Sequence, residues 1–322
     1  MRKIVGGVVG GIVISSLLVG CSGGQGASTS TKADDDSKLG VIATTTQICD
    51  YVKQIDADVD LTCLLVPNAS AHDHEMTREQ MDALSKADIL LKNGVDLEHF
   101  LDDAVASSGF KGTTVDTSEG VNIAPWPFAP EDGEEPEFNN DPHIWTSPKN
   151  AKIQVANIGK ALEAADSAHA DDYKKHVDSY ISQLEDLDTW TTQSLKSVPE
   201  AERILFTSHD AFGYFSRDYN VKFIGAALSD FNEQQDATAD HIAKAAQQVR
   251  DSKAKALFAE NSNNPRSIEA VAKAAGVKLG GELYGDSLGP DVTYTQSIVH
   301  NVETLIDGWG GKIAEKPASI AR

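Results

Sequence analysis

The chain has 322 residues, 40% of them hydrophobic and 24% charged, an ordinary globular composition. At about 100–200 residues per domain, this length holds two domains or one large one, with chain enough for each to bury a core. Lys and Arg number 28 against 49 Asp and Glu, a formal charge of -21. That balance excludes nucleic acid as the expected partner, since phosphate binding needs a basic footprint, and three cysteines are too few for an iron–sulfur or Cys-rich zinc site.

Arg2 and Lys3 open the chain, an apolar run follows from Ile4 to Gly20, and Leu18-Val19-Gly20-Cys21 closes it. A charged start, an apolar stretch and small residues before a cleavage point make residues 1–20 a signal peptide. The cysteine directly after Val19-Gly20 resembles a bacterial lipobox, so lipidation is expected at Cys21. The run is short for a membrane span, and no other apolar stretch approaches about 20 residues. Residues 21–38 are mostly Gly, Ser, Thr and Asp and bury almost nothing, as befits a flexible tether. The protein is therefore expected outside the cytoplasm, lipid-anchored to the bacterial cell membrane. With Cys21 used by the lipid, Cys49 and Cys63 remain. An even remainder in an oxidising compartment suggests a disulfide, with two buried free thiols as the alternative.

Leu39–Thr44 reads as a strand, Gln47–Ile55 as a helix and Val59–Val66 as a second strand. Thr77–Lys86 is helical, Asp88–Lys92 is a strand ended by Asn93-Gly94, and Asp96–Ala106 is helical. Strands alternating with helices at these spacings indicate βαβ units and a largely parallel sheet. Residues 125–142 are Pro-rich and acidic, an exposed loop that either concentrates cations or is a solvated insertion. Pro148–Ala165 is helical. Ala168–Lys196 carries apolar residues at Tyr173, Val177, Tyr180, Ile181, Leu184, Leu187 and Trp190, a spacing of three to four. At 1.5 Å per residue this helix spans about 42 Å, enough to cross between lobes. A second α/β series follows: strands at Arg203–Thr207, Val221–Ala226, Lys255–Ala259 and Val277–Leu283, and helices at Ala211–Tyr219, Ala237–Arg250, Pro265–Ala275 and Tyr294–Trp309. The organisation expected is an N-terminal α/β lobe over 39–166, a linking helix over 167–197 and a C-terminal α/β lobe over 198–322.

Nine histidines are present. His169, His176, His241 and His300 fall in helices, and His99 is placed with them. His72, His143 and His209 sit in loops, His72 and His209 after strands, and Asp286 follows the strand Val277–Leu283. Ligands of open α/β sheets bind outside the carboxyl ends of strands. Three imidazoles and a carboxylate make a four-coordinate set suited to Zn²⁺, although groupings at such long range are easily invented from spacing alone.

Over residues 39–313 the sequence resembles the metal-binding solute-binding proteins of bacterial zinc and manganese ABC importers, the periplasmic zinc-binding protein family. The motifs are Thr44-Thr45-Thr46-Gln47-Ile48, Val66-Pro67, His72-x-His74-Glu75-Met76-Thr77, Asn93-Gly94 with Leu97-Glu98, Asp141-Pro142-His143-Ile144-Trp145, His209-x-Ala211-Phe212-x-Tyr214-Phe215 and Asp286-Ser287. The resemblance implies two mostly parallel α/β lobes joined by one long rigid helix, with the metal in the cleft between them. It implies His72, His143, His209 and Asp286 as metal ligands. His74 stands where an aromatic is usual and is a candidate auxiliary metal ligand, and Ser70-Ala71 replaces a common Asp-Pro.

The function implied is capture of a divalent transition metal, zinc first and manganese second, for delivery to an ABC importer permease and its ATPase. The metal is cargo, the chain a monomer, and no enzymatic activity is expected. Release should come from local movement around Asp286 or the 125–142 loop. A metal-dependent adhesin or zinc chaperone would use the same fold and site. An extracellular zinc hydrolase is the reading from another class, and no His-Glu-x-x-His motif supports it.

Overall fold

The computed structural model describes residues 38–56, 58–72, 74–126, 139–228 and 238–321. The signal peptide, Cys21, the tether up to residue 37 and most of the acidic loop lie outside them. Among the described residues, no helix is long and apolar enough to cross a membrane.

The first sheet holds β1 (Gly40–Ala43), β2 (Asp60–Cys63), β3 (Ile89–Lys92) and β4 (Thr113–Asp116), in the order β2-β1-β3-β4. All its pairings are parallel. The central strands are buried throughout their apolar runs, Val41-Ile42-Ala43 and Ile89-Leu90-Leu91, as expected where helices cover both faces of a parallel sheet. The connecting helices are α1 (Thr46–Ile55), α2 (Arg78–Lys86) and α3 (Leu101–Ser108). The Thr45 hydroxyl caps α1, and Thr77 with Gln80 forms a reciprocal capping box on α2, which satisfies otherwise orphaned amides. A disulfide joins Cys49 on α1 to Cys63 at the end of β2. Closing a loop of this size contributes about 3 kcal/mol on the chain-entropy model.

Two helices follow, α4 (Pro148–Ala165) and α5 (Ala170–Leu195). Ser147 caps α4, and Pro148 fills its first turn, where a missing N–H costs nothing. Tyr173, Val177, Tyr180, Leu184, Leu187 and Trp190 form the buried stripe of α5. Each such side chain contributes about 1.5–3 kcal/mol on burial. α5 packs on α4, on α1 and on α9 (Tyr294–Trp309). Through it one apolar cluster runs from Val41 and Leu91 in the first sheet to Leu205 and Phe258 in the second.

The second sheet repeats the first. Its strands are β5 (Ile204–Thr207), β6 (Lys222–Ala226), β7 (Ala256–Glu260) and β8 (Lys278–Leu283), parallel and ordered β6-β5-β7-β8. Helices α6 (Gly213–Tyr219), α7 (Ala239–Ser252), α8 (Arg266–Ala275) and α9 accompany them. The Asp50 carboxylate on α1 accepts the Tyr294 amide at 2.8 Å, so a residue of the first lobe helps cap a helix of the second. The fold is two-lobed α/β, as expected.

Three local expectations need correction. The helix placed at Asp96 begins at Leu101, because Val95 and Asp96 take φ of 56° and 58°, a conformation no α-helix accommodates. His99 therefore lies in a turn. The strand expected to reach Val66 ends at Cys63; beyond it the chain turns out and leaves the Val66 side chain exposed. Strand β4 carries only one apolar residue, Val115, and had no sequence signal.

Candidate metal centre

Four segments bring one side chain each to a common point. His72 lies in the loop after β2, and His143 directly precedes the 3-10 turn Ile144–Thr146. His209 occupies the turn from β5 to α6, and Asp286 the turn from β8 to α9. One ligand atom from each lies within 4.8 Å of all the others. His72 Nε2 and His143 Nε2 are 3.0 Å apart. The Asp286 carboxylate is 3.7 Å from His72 Nε2, 3.6 Å from His143 Nε2 and 3.7 Å from His209 Nδ1. A tetrahedral ion with bonds of about 2.0–2.1 Å spaces its donors by roughly 3.3–3.4 Å. The observed separations bracket that value. All four side chains are buried, none more than 3% exposed.

The His143 ring is set by Asp141, whose Oδ1 lies 2.8 Å from Nδ1 and also accepts the His143 amide at 2.9 Å. A carboxylate on Nδ1 fixes the tautomer that presents Nε2 as a bare donor. Asp141 is held in turn. The Tyr214 hydroxyl donates to its carbonyl at 2.7 Å, and a Cβ on Gly213 would collide with its Oδ2. Asn93 Nδ2 donates to the Pro142 carbonyl at 2.9 Å, and Gln154 Nε2 donates to Asn93 Oδ1 at 3.2 Å. The base of the acidic loop is closed by the Pro125–Asn140 bridge.

Asp286 is held by its main chain. Gln47 Nε2 on α1 donates to the Asp286 carbonyl at 3.1 Å, and the Trp145 indole donates to the Gly285 carbonyl at 2.9 Å. The Leu288 amide donates to Thr46 Oγ1 at 2.8 Å, and the Asn68 amide donates to the Leu288 carbonyl at 3.1 Å. This turn of the second lobe is thus fastened to the first by four bonds. That fastening counts against release through movement of the Asp286 turn.

Burial holds the His72 imidazole down to about 3, and the nearby Asp286 carboxylate only partly opposes it. A neutral imidazole is the form that binds a metal. Two further carboxylates face His209: Asp210 Oδ1, 3.5 Å from Nε2, and Glu260 Oε2, 3.7 Å from Nδ1. Burial pushes Asp210 up to about 6 against the pull of His209 and His143. Neither carboxylate was singled out in the sequence. Glu260 lies one residue past the strand expected at Lys255–Ala259, and the strand-end rule that found His209 applies to it equally.

The structure does not bring His74 to the four. Its Nε2 is 3.2 Å from Gln80 Oε1, and its ring meets Phe100 edge to face with centroids 5.1 Å apart. Gln80, the capping-box residue of α2, also donates to the Leu64 carbonyl at 2.8 Å, so the pair is tied to the base of α2.

The comparisons with known proteins agree with this architecture. The family model described as "Zinc-uptake complex component A periplasmic" matches residues 41–308. The Yersinia pestis iron-binding protein YfeA is 31% identical over 86% of this chain and 88% of its own length. The iron ABC transporter substrate-binding lipoprotein MtsA of Streptococcus pyogenes is 29% identical over 96% of this chain and 99% of its own. The periplasmic zinc-binding protein TroA of Treponema pallidum superposes with a TM-score of 0.75 at 28% identity, covering 85% of this chain and 99% of that one. The Mn-bound periplasmic metal-binding protein of Candidatus Liberibacter asiaticus gives 0.74 at 25% identity, covering 84% of this chain and all of the other. The chain belongs to the family of periplasmic A components of zinc-uptake complexes, the metal-binding components of ABC transporters.

Proposed function

We propose that the protein captures a divalent transition metal outside the cytoplasm, zinc in the first place, and delivers it to an ABC importer permease served by its ATPase. The observation that carries the reading is the convergence of His72, His143, His209 and Asp286, one buried side chain from each of four separate segments. Four protein donors fill a tetrahedron and leave no position for an activated water, which favours binding over hydrolysis. Three nitrogens against one carboxylate suit Zn²⁺ better than harder ions. A manganese carrier is the second reading, favoured by Asp210, whose Oδ1 lies 3.5 Å from His209 Nε2.

In this reading residues 1–20 are removed and Cys21 carries the lipid. The tether then reaches to residue 38, and the lobes at 39–166 and 198–322 are joined by the helix at 167–197. The chain acts as a monomer. The deciding measurement is competition calorimetry with Zn²⁺ and Mn²⁺ on the chain without its signal peptide. Submicromolar Zn²⁺ binding that Mn²⁺ displaces poorly is expected. Tighter Mn²⁺ binding would select the second reading, and no binding of either would end both.

A further inference from the structure

Glu260 is the last residue of β7, the strand between β5 and β8. His209 and Asp286 follow directly from those two neighbours. The Glu260 side chain is 1% exposed, and it reaches into the space between the two turns. Oε1 accepts the His209 amide at 2.9 Å. Oε2 lies 3.7 Å from His209 Nδ1 and has no hydrogen-bond partner. The same Oε2 presses on Gly285, the residue before Asp286, so closely that a Cβ there would collide with it. The Glu260 amide in turn donates to Ser208 Oγ at 3.2 Å.

The next residue completes the brace. Asn261 Oδ1 accepts the Gly285 amide at 3.2 Å, and its Nδ2 donates to the Ser287 carbonyl at 3.0 Å. That Nδ2 also lies 2.9 Å from Asn68 Oδ1, in the loop that leads to His72. Two consecutive residues thus touch the turns that carry His209 and Asp286 and the loop that carries His72.

A buried carboxylate with one oxygen given to an amide and the other given to nothing is expensive. No Lys or Arg pairs with it among the described residues. A divalent cation held by the four donors would supply the missing positive charge. We infer that Glu260 is a positioning residue of the metal centre: it fixes the His209 main chain and the Gly285–Asp286 turn, and it places a negative charge beside the His209 ring. Glu260 acts through His209 and Asp286 and is not a ligand itself. The inference rests on the metal-capture reading above and names a further residue on which that site depends.

The test uses the full chain in detergent, with Zn²⁺ titrated against a competing chelator and Co²⁺ as a spectroscopic probe of donor geometry. Glu260→Gln keeps the volume and an oxygen for the His209 amide but removes the charge. Glu260→Ala removes everything. Removing an outer partner of a metal ligand costs about 10–100-fold in affinity. Glu260→Gln is expected near the lower end and Glu260→Ala near the upper, each with shifted Co²⁺ visible bands at saturation. Glu260→Gln should keep the metal-free thermal midpoint of the parent, which separates positioning from folding. Wild-type affinity in both variants overturns the inference. So does an affinity loss that only follows a lowered midpoint while the Co²⁺ bands stay unchanged. If the parent chain binds neither Zn²⁺ nor Co²⁺, the metal reading and this inference fall together. Normal parent binding matched by both variants sinks the inference alone.

Discussion

The two sheets have the same strand order and pairing, yet they deliver their ligands differently. In the second, His209 and Asp286 lie a few residues beyond β5 and β8, so strand register brings both close to the site, and short bonds from Glu260, Asn261 and Gln47 hold the turns there. In the first, the chain wanders from β2 before reaching His72, and further still from β4 before reaching His143. Register cannot place a side chain at the end of a long loop. Hydrogen bonds from elsewhere do it: Asp141 and Asn93 for His143, and the Asn68 contacts with Leu288 and Asn261 for the approach to His72. One lobe supplies donors close to its strand ends, and the other supplies donors carried on long loops that hydrogen bonds must position, two of them to the opposite lobe.

The comparison is most strongly tested by removing ligands from each side. Structural zinc sites with four ligands bind with about 10–16 kcal/mol. One ligand then carries roughly 3–4 kcal/mol, or 10²–10³-fold in affinity. His72→Ala, His143→Ala, His209→Ala and Asp286→Ala should each lose that much by competition calorimetry. His74→Ala, whose ring is taken up by Gln80 and Phe100, should change affinity less than threefold. A larger loss for His74→Ala than for His72→Ala would make His74 the ligand of that loop.

The next effect belongs to the bond-placed side. Asp141→Asn leaves the His143 ring where it is but takes away the charge on its Nδ1. A loss of about 10–100-fold in Zn²⁺ affinity is expected, with little change in the metal-free unfolding midpoint. If the midpoint falls and affinity does not, Asp141 serves the loop and not the ring.

Acid gives the third effect. His72 is held at about 3 when folded against an ordinary value near 6.5. Below pH 6.5 the unfolded chain takes up a proton there that the folded chain refuses, so stability drains away as pH falls toward 3. At pH 5 this is about 2 kcal/mol for His72 alone. Metal-free His72→Asn should therefore lose less stability than the parent between pH 7 and pH 5 by denaturant titration. Equal losses would mean that the ring is protonated in the folded protein. The same depression weakens proton competition at this ligand near pH 6, so metal should be held to lower pH than free imidazole would suggest.

Much of this was legible in the sequence, unevenly across the same divide. Helices α4 and α9 were placed to the residue, because Ser147-Pro148 and Thr293 mark their starts and the apolar spacing is clean. Helix α3 was begun too early, since a periodic pattern does not reveal that Val95 and Asp96 sit at positive φ. The four donors are separated by long stretches of chain, and the family resemblance, more than spacing, gathered them. Their outer partners were harder still. Asp141 stands in the motif that carries His143, but in a chain with 49 acidic residues, Asp210 and Glu260 look like background until the fold buries them beside an imidazole.

The smallest expected effect bears most directly on how the two lobes meet. Gln47 donates to the Asp286 carbonyl from the first turn of α1. Gln47→Ala removes one of the bonds that fasten the Asp286 turn to the other lobe. A buried hydrogen bond of this kind contributes about 1 kcal/mol. If the turn needs its interlobe bonds, Zn²⁺ affinity should fall about threefold to fivefold, and the dissociation rate to a chelator in stopped-flow should rise by the same factor. If β8 alone places Asp286, affinity should hold and only the unfolding midpoint should drop. The second outcome would mean that the two lobes place their ligands by separate means. The first would show that the Asp286 side also depends on bonds from across the interface.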